Sequence, residues 1–239
     1  MLHAERPLPP VAIVVRWPRS APAAVAEQMH QCLTDGGLAA TWAMESPEQA
    51  ALLECRGGRA PEMEAAILAV SAGGDGLNEA IGASIDVFQA AGMAVETIQV
   101  SGKLPRDSFA RRLCQAGIRA VVGSAITAKT TVAGALPFGV WQFSPHWAAP
   151  ARRRWFQFFS RRNPALLENS STSLAVAAID LGAVDSIHGR AWRQVEELLE
   201  QLCEAQDTGI ARIATVAQLA AELTAAATSR PQRSILRAA

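Results

Sequence analysis

Eight short runs rich in Val, Ile, Leu and Ala recur along the 239 residues, at 11–17, 38–44, 64–70, 94–100, 120–124, 138–143, 173–182 and 211–216. Strands that read as unbroken apolar runs are buried on both faces, unlike the alternating strands of a half-solvated antiparallel sheet. All but one of the runs lead into a helical pattern, and that rhythm builds right-handed βαβ units. The fold class that follows is α/β, with seven or eight parallel strands curled into a distorted (β/α) TIM-like barrel. In such a barrel the chemistry sits in the loops at the carboxyl ends of the strands, so those positions can be inspected one by one.

The helical stretches carry their own punctuation. A helix over 23–34 is closed by Gly36-Gly37, and Ser46-Pro47 opens the next as N-cap and first-turn proline. Over 76–91, Leu77, Ile81, Ile85 and Phe88 fall on one face at helical spacing, as do Phe109 and Leu113 over 107–116. Two further helices are expected over 190–206 and 217–227. Residues 1–10 read as a proline-rich, loosely ordered lead-in, 11–228 as a single barrel domain, and 229–239 as a basic tail.

Charge excludes some function classes. Lys plus Arg and Asp plus Glu both number 22, so no global field draws nucleic acid or an anionic membrane. No apolar run approaches the length that spans a bilayer, and the leading residues lack a basic-then-apolar signal segment. Cys32, Cys55, Cys114 and Cys203 are scattered without a CxxC, which reads as reduced thiols of a cytoplasmic protein.

Three stretches, 79–92, 104–122 and 192–223, together resemble the polysaccharide deacetylase family, the NodB-homology carbohydrate esterases. The first is similar to the family's helix after strand three. The second is similar to its strand-four loop, helix and next strand, and the third to its closing helix, strand and Thr215-Val-Ala-Gln-Leu219. The resemblance implies zinc-type hydrolysis: an aspartate pair after strand one, H-x-x-x-H after strand three, Arg-x-Pro after strand four and Leu-x-His near strand seven. This chain departs from that pattern everywhere it matters. Strand one ends Val15-Arg16-Trp17-Pro18 with no carboxylate, and strand three leads into Ser71-Ala72-Gly73-Gly74-Asp75 with no histidine. Lys103-Leu104-Pro105 stands for Arg-x-Pro, and the strand at 174–178 has no histidine. A divalent metal needs several donors converging at about 2 Å. The expectation is therefore a barrel with no metal and no cofactor.

What remains is a set of candidates, each with a plainer alternative. His188 and Asp185 follow the seventh run, Asp180 lies near its end, and the three are the catalytic candidates, able to exchange protons if they met at about 3 Å. They are otherwise ordinary loop residues. His146, after the sixth run, is expected to face the mouth as well. Arg16, Trp17, Asp75, Lys103 and His146 form the candidate ligand-binding set, with Arg106 nearby. The alternative is that Arg16 and Lys103 pair with Asp75, Asp180 or Glu45 and fill an abandoned metal site with salt bridges. Trp17, Trp42, Trp141 and Trp147 suit stacking on sugar rings, or serve as core. The segment 152–162 sets five arginines around Trp155, Phe156, Phe158 and Phe159. Arg153, Trp155, Phe156 and Phe159 are its candidate partner or membrane contacts.

The function expected is a non-catalytic binding or regulatory protein, and the resemblance implies a setting in bacterial carbohydrate metabolism. Its partner would be a carbohydrate, a protein or a second copy of the chain, with neither nucleic acid nor a transmembrane segment. The alternatives are a metal-independent hydrolase using His188, Asp180 and Asp185, and a peripheral membrane or scaffold protein using 152–162.

Overall fold

The computed structural model describes residues 8–54, 62–70, 77–101, 107–123, 133–150 and 174–229. Each apolar run holds a strand: β1 (Pro10–Trp17), β2 (Ala40–Met44), β3 (Met63–Val70), β4 (Thr97–Ser101), β5 (Ala120–Gly123), β7 (Trp141–Phe143), β9 (Ala175–Asp180) and β10 (Arg212–Ala214). Two short strands, β6 (Ala133–Ala135) and β8 (Trp147–Ala149), complete one sheet in the order β6-β7-β5-β4-β3-β2-β1-β9-β8, with β10 also paired to β1. Every pairing is parallel except β6 with β7. The small residues of β6 carry no strand signature of their own, and β8 offers only Trp147 beside two alanines, since strand preference favours branched and aromatic side chains.

Among the described residues six α-helices accompany the sheet: α1 (Ala23–Asp35), α2 (Pro47–Glu54), α3 (Leu77–Ala90), α4 (Asp107–Gln115), α5 (Arg190–Asp207) and α6 (Val216–Ser229). α1 to α5 cover one face. Val11, Ile13, Val15 and Trp17 of β1, Trp42 and Met44 of β2, and Ile98 of β4 pack there against Met29, Leu33, Phe88, Leu113 and Leu199. Trp17 and Trp42 meet edge to face at 6.0 Å within this layer.

The opposite, inner face is unusually small. Neighbours in register there read Arg16, Ala43, Ala66, Thr97, Ala120 and Trp141 across β1 to β7. A parallel barrel normally fills its interior with bulky branched side chains. Here alanines leave space, and a helix takes part of it. Val216, Leu219 and Ala220 of α6 pack with Ala12, Val14, Ala120, Val122, Phe143 and Val176.

The start of α6 is capped four times. Thr215 and Gln218 exchange reciprocal backbone-to-side-chain bonds, Thr215 N–H to Gln218 Oε1 at 2.9 Å and Gln218 N–H to Thr215 Oγ1 at 3.3 Å. That is a capping box. Val216 N–H donates to Thr41 Oγ1 at 2.9 Å and Ala217 N–H to Glu64 Oε2 at 3.0 Å, which ties the helix to β2 and β3.

Candidate functional site

Arg16 and Asp180 are paired residues at the carboxyl ends of adjacent strands β1 and β9. Side chains alternate along a strand, so Arg16 shares the inner face with Ala12 and Val14, and Asp180 shares it with Val176 and Ala178. Arg16 Nη1 donates to Asp180 Oδ2 at 2.9 Å. The other carboxylate oxygen, Oδ1, accepts the Gly182 N–H at 3.1 Å and caps the 3-10 turn Leu181–Ala183. Both oxygens of Asp180 are thus engaged. The pair is half-buried, with about a quarter of the Arg16 side chain and a third of the Asp180 side chain in solvent. Arg16 Nε is shielded from water and bonds no described residue.

The same alternation corrects the placement of Trp17. It lies one residue past Arg16, so its ring turns to the helix-covered face, where it is 4% exposed. It is core, and no ring face is open to a sugar. Trp42 is 1% exposed in the same layer. Trp141 spends its indole N–H on Thr224 of α6, at 2.9 Å.

His146 also lies elsewhere than expected. Past β7 the chain turns directly into β8, and the His146 N–H donates to the Val176 carbonyl at 2.7 Å. That is four residues before Asp180 on β9, about 13 Å at the usual rise of a strand. The ring lies part-way along the sheet, and burial pushes its pKa down against a smaller opposing contribution from the Ser144 backbone. His188 and Asp185 are exposed in the turn before α5, where the His188 N–H donates to Ser186 Oγ at 3.2 Å. No hydrogen bond or ion pair joins His188 to Asp180 or Asp185. The structure therefore brings together Arg16 and Asp180 and leaves the proposed proton-exchanging trio apart. Asp75, Lys103 and Arg106, expected from the sequence at the mouth, and Arg153, Trp155, Phe156 and Phe159 of the 152–162 segment lie outside the described residues. Among the described residues, no group of three His, Cys, Asp or Glu side chains could hold a metal ion.

Sequence reasoning missed Glu64. It reads as the polar edge of an apolar run, yet its carboxylate turns inward at the start of β3. Oε2 accepts from Thr41 Oγ1 at 2.7 Å and from the Ala217 N–H at the start of α6. Burial pushes its pKa up and Glu96 nearby adds to the rise, against the hydrogen bonds from Ala217 and Thr41. Thr97 and Gln99, both buried, follow on the same inner face of β4. The available signal was parity: Glu64, Ala66 and Leu68 alternate with Ala65, Ile67 and Ala69.

No protein-family model matches the chain, and no curated protein does. Solved structures do. A protein from Bordetella bronchiseptica described as a polysaccharide deacetylase involved in O-antigen biosynthesis superposes with a TM-score of 0.55 at 13% identity, over 90% of both chains. The 4-alpha-glucanotransferase of Thermococcus litoralis superposes with a TM-score of 0.57 at 11% identity, over 91% of this chain and 41% of that one. The likeness is one of fold. This is a mixed α/β, mainly parallel curled sheet of the polysaccharide deacetylase type, as the resemblance implies. In this deacetylase-type barrel, the described end of the first strand carries a guanidinium already paired to a carboxylate.

Proposed function

We propose that this deacetylase-type barrel works by binding, without metal hydrolysis, and holds a carbohydrate or a carbohydrate-bearing partner at its carboxyl-end mouth. The Arg16–Asp180 pair carries the proposal. A divalent cation needs several free donors, and a fixed positive charge beside the site opposes it. Here the inward carboxylate gives one oxygen to Arg16 and the other to Gly182. The guanidinium, in turn, suits ligand oxygens: it donates in a planar fork to hydroxyl and acid groups.

Metal content and acetate release from N-acetylated oligosaccharides, with and without added zinc, cobalt or nickel, test the first half. Neither stoichiometric metal nor release is expected. Titration with neutral and acidic oligosaccharides tests the second half. Saturable binding that Arg16→Met weakens about tenfold, the loss expected for one charged hydrogen bond, is the predicted result. One tightly held metal with acetate release would overturn the reading, as would binding indifferent to Arg16.

A further inference from the structure

A groove of about 930 Å3 opens at the other end of the sheet, where the chain enters β4, β5 and β7. That volume is within the range of about 300–1,000 Å3 typical of small-molecule sites. Its floor is apolar, with Met93, Ala94 and Ala116 reaching the surface over the buried core of Ile85, Phe88 and Ile118. One wall is a face of α6 that presents Ala221, Thr224, Ala225 and Thr228.

Most polar side chains of the lining are already engaged within the protein. Gln89 Nε2 donates to the Ala116 carbonyl at 3.3 Å, Thr224 Oγ1 accepts from Trp141 and donates to Ala220, and Thr228 Oγ1 donates to Thr224 and Ala225. Charge enters at the rim. Arg119 stands 4.0 Å from Glu96, too long for a hydrogen bond, and 63% of its side chain is exposed. Arg111 sits over the Phe138 ring at 5.5 Å from its centroid.

Phe138 is the second, independent observation. It lies at the tip of the β6–β7 hairpin with φ 63° and ψ 25°, in the left-handed region that bulky side chains avoid, and it is 53% exposed. A large aromatic held in a strained conformation, in water, at the edge of an apolar groove points to a ligand that covers it.

We infer that this groove binds a small amphipathic anion, with its apolar body on Met93, Ala94, Ala221, Ala225 and the Phe138 ring and its acid group on Arg119. Arg119 in the lining, with Arg111 beyond the Phe138 ring, outweighs the one lining carboxylate, Glu96, and selects an acid over a base, while the engaged polar side chains select an apolar body over a sugar. The inference stands apart from the proposed mouth site and does not depend on it.

The full chain should bind 1-anilinonaphthalene-8-sulfonate saturably at one site per chain, and decanoate should displace it. Arg119→Gln should weaken decanoate about tenfold, and decanol should bind about tenfold more weakly than decanoate, each reading one charge-assisted bond. Phe138→Gly, which keeps the backbone conformation and removes the ring, should also weaken binding. Cys114 lines the groove with an exposed thiol, so decanoate should slow its alkylation, followed by mass spectrometry, and leave Cys32 unaffected. Absent or non-saturable binding, indifference to Arg119→Gln, or equal binding of decanol overturns the inference. So does a Cys114 shielded without ligand, whether in a concentration-dependent dimer or until residues 230–239 are deleted, because another occupant then holds the groove.

Discussion

The carboxylate of Glu64, at the start of β3, accepts the main-chain N–H of Ala217, 153 residues later and 3.0 Å away. Through this bond the last helix is fastened to the inner face of the sheet. An acceptor at a helix start satisfies an otherwise orphaned donor and meets the positive end of the helix dipole.

Removing that acceptor should be costly. Glu64→Ala leaves the Ala217 N–H and the Thr41 hydroxyl without their partner in a buried place, a loss of about 1–3 kcal/mol. Urea unfolding measures it, and a change below about 0.5 kcal/mol would remove the latch role from Glu64.

The same residue predicts a pH slope. Its folded pKa lies above the ordinary value, so the native state holds the proton more tightly than the unfolded chain. Its contribution is then fully present below the unfolded pKa and is lost as pH rises through the folded one. Glu64→Gln should abolish that decline, so the stability of wild type relative to Glu64→Gln should fall as pH rises from 4.5, the ordinary value for the group. A difference that stays flat over this window contradicts the burial argument.

His146 runs the opposite way. Burial depresses its pKa from 6.5, so its contribution is present above that value and is lost as pH falls through the depressed one. An NMR titration of its ring protons should give a midpoint below 6.5, and one at or above 6.5 would place the ring in water.

The mouth pair should matter little to stability. With both side chains partly in solvent, screening holds a double-mutant coupling between Arg16 and Asp180 to about 0.5–1 kcal/mol. Asp180→Ala should cost somewhat more than Arg16→Met, because it also removes the cap on Gly182. Equal losses in urea melts would mean that the cap carries no weight.

Thiol chemistry gives a last check on packing. Cys114 is exposed, whereas burial pushes the Cys32 and Cys203 thiols up and thereby starves them of thiolate. Site-resolved alkylation in native buffer should label Cys114 ahead of Cys32 and Cys203, which should react about tenfold slower or more. Comparable rates at all three would mean that α1 and α5 do not pack as described.

The sequence alone determined much of this protein. Its apolar runs located eight of the ten strands among the described residues, because residues buried on both faces are apolar almost throughout. Capping residues and helical spacing located the helices to within a residue or two. Arg16 was legible as a cation at the end of the first strand. Its partner was one of three carboxylates in the sequence, and the structure chose Asp180, 164 residues away, because β1 and β9 are neighbours. A doubly apolar strand carries no mark of which face turns inward. That decision came from the curl of the sheet, and it sent Arg16 to the inner face, Trp17 to the helix layer and Glu64 to the start of α6. Likewise β6 and β8 exist because edges of the sheet were there to pair with. His146 left the mouth for the same reason: long-range pairing overrides what a short polar segment prefers by itself.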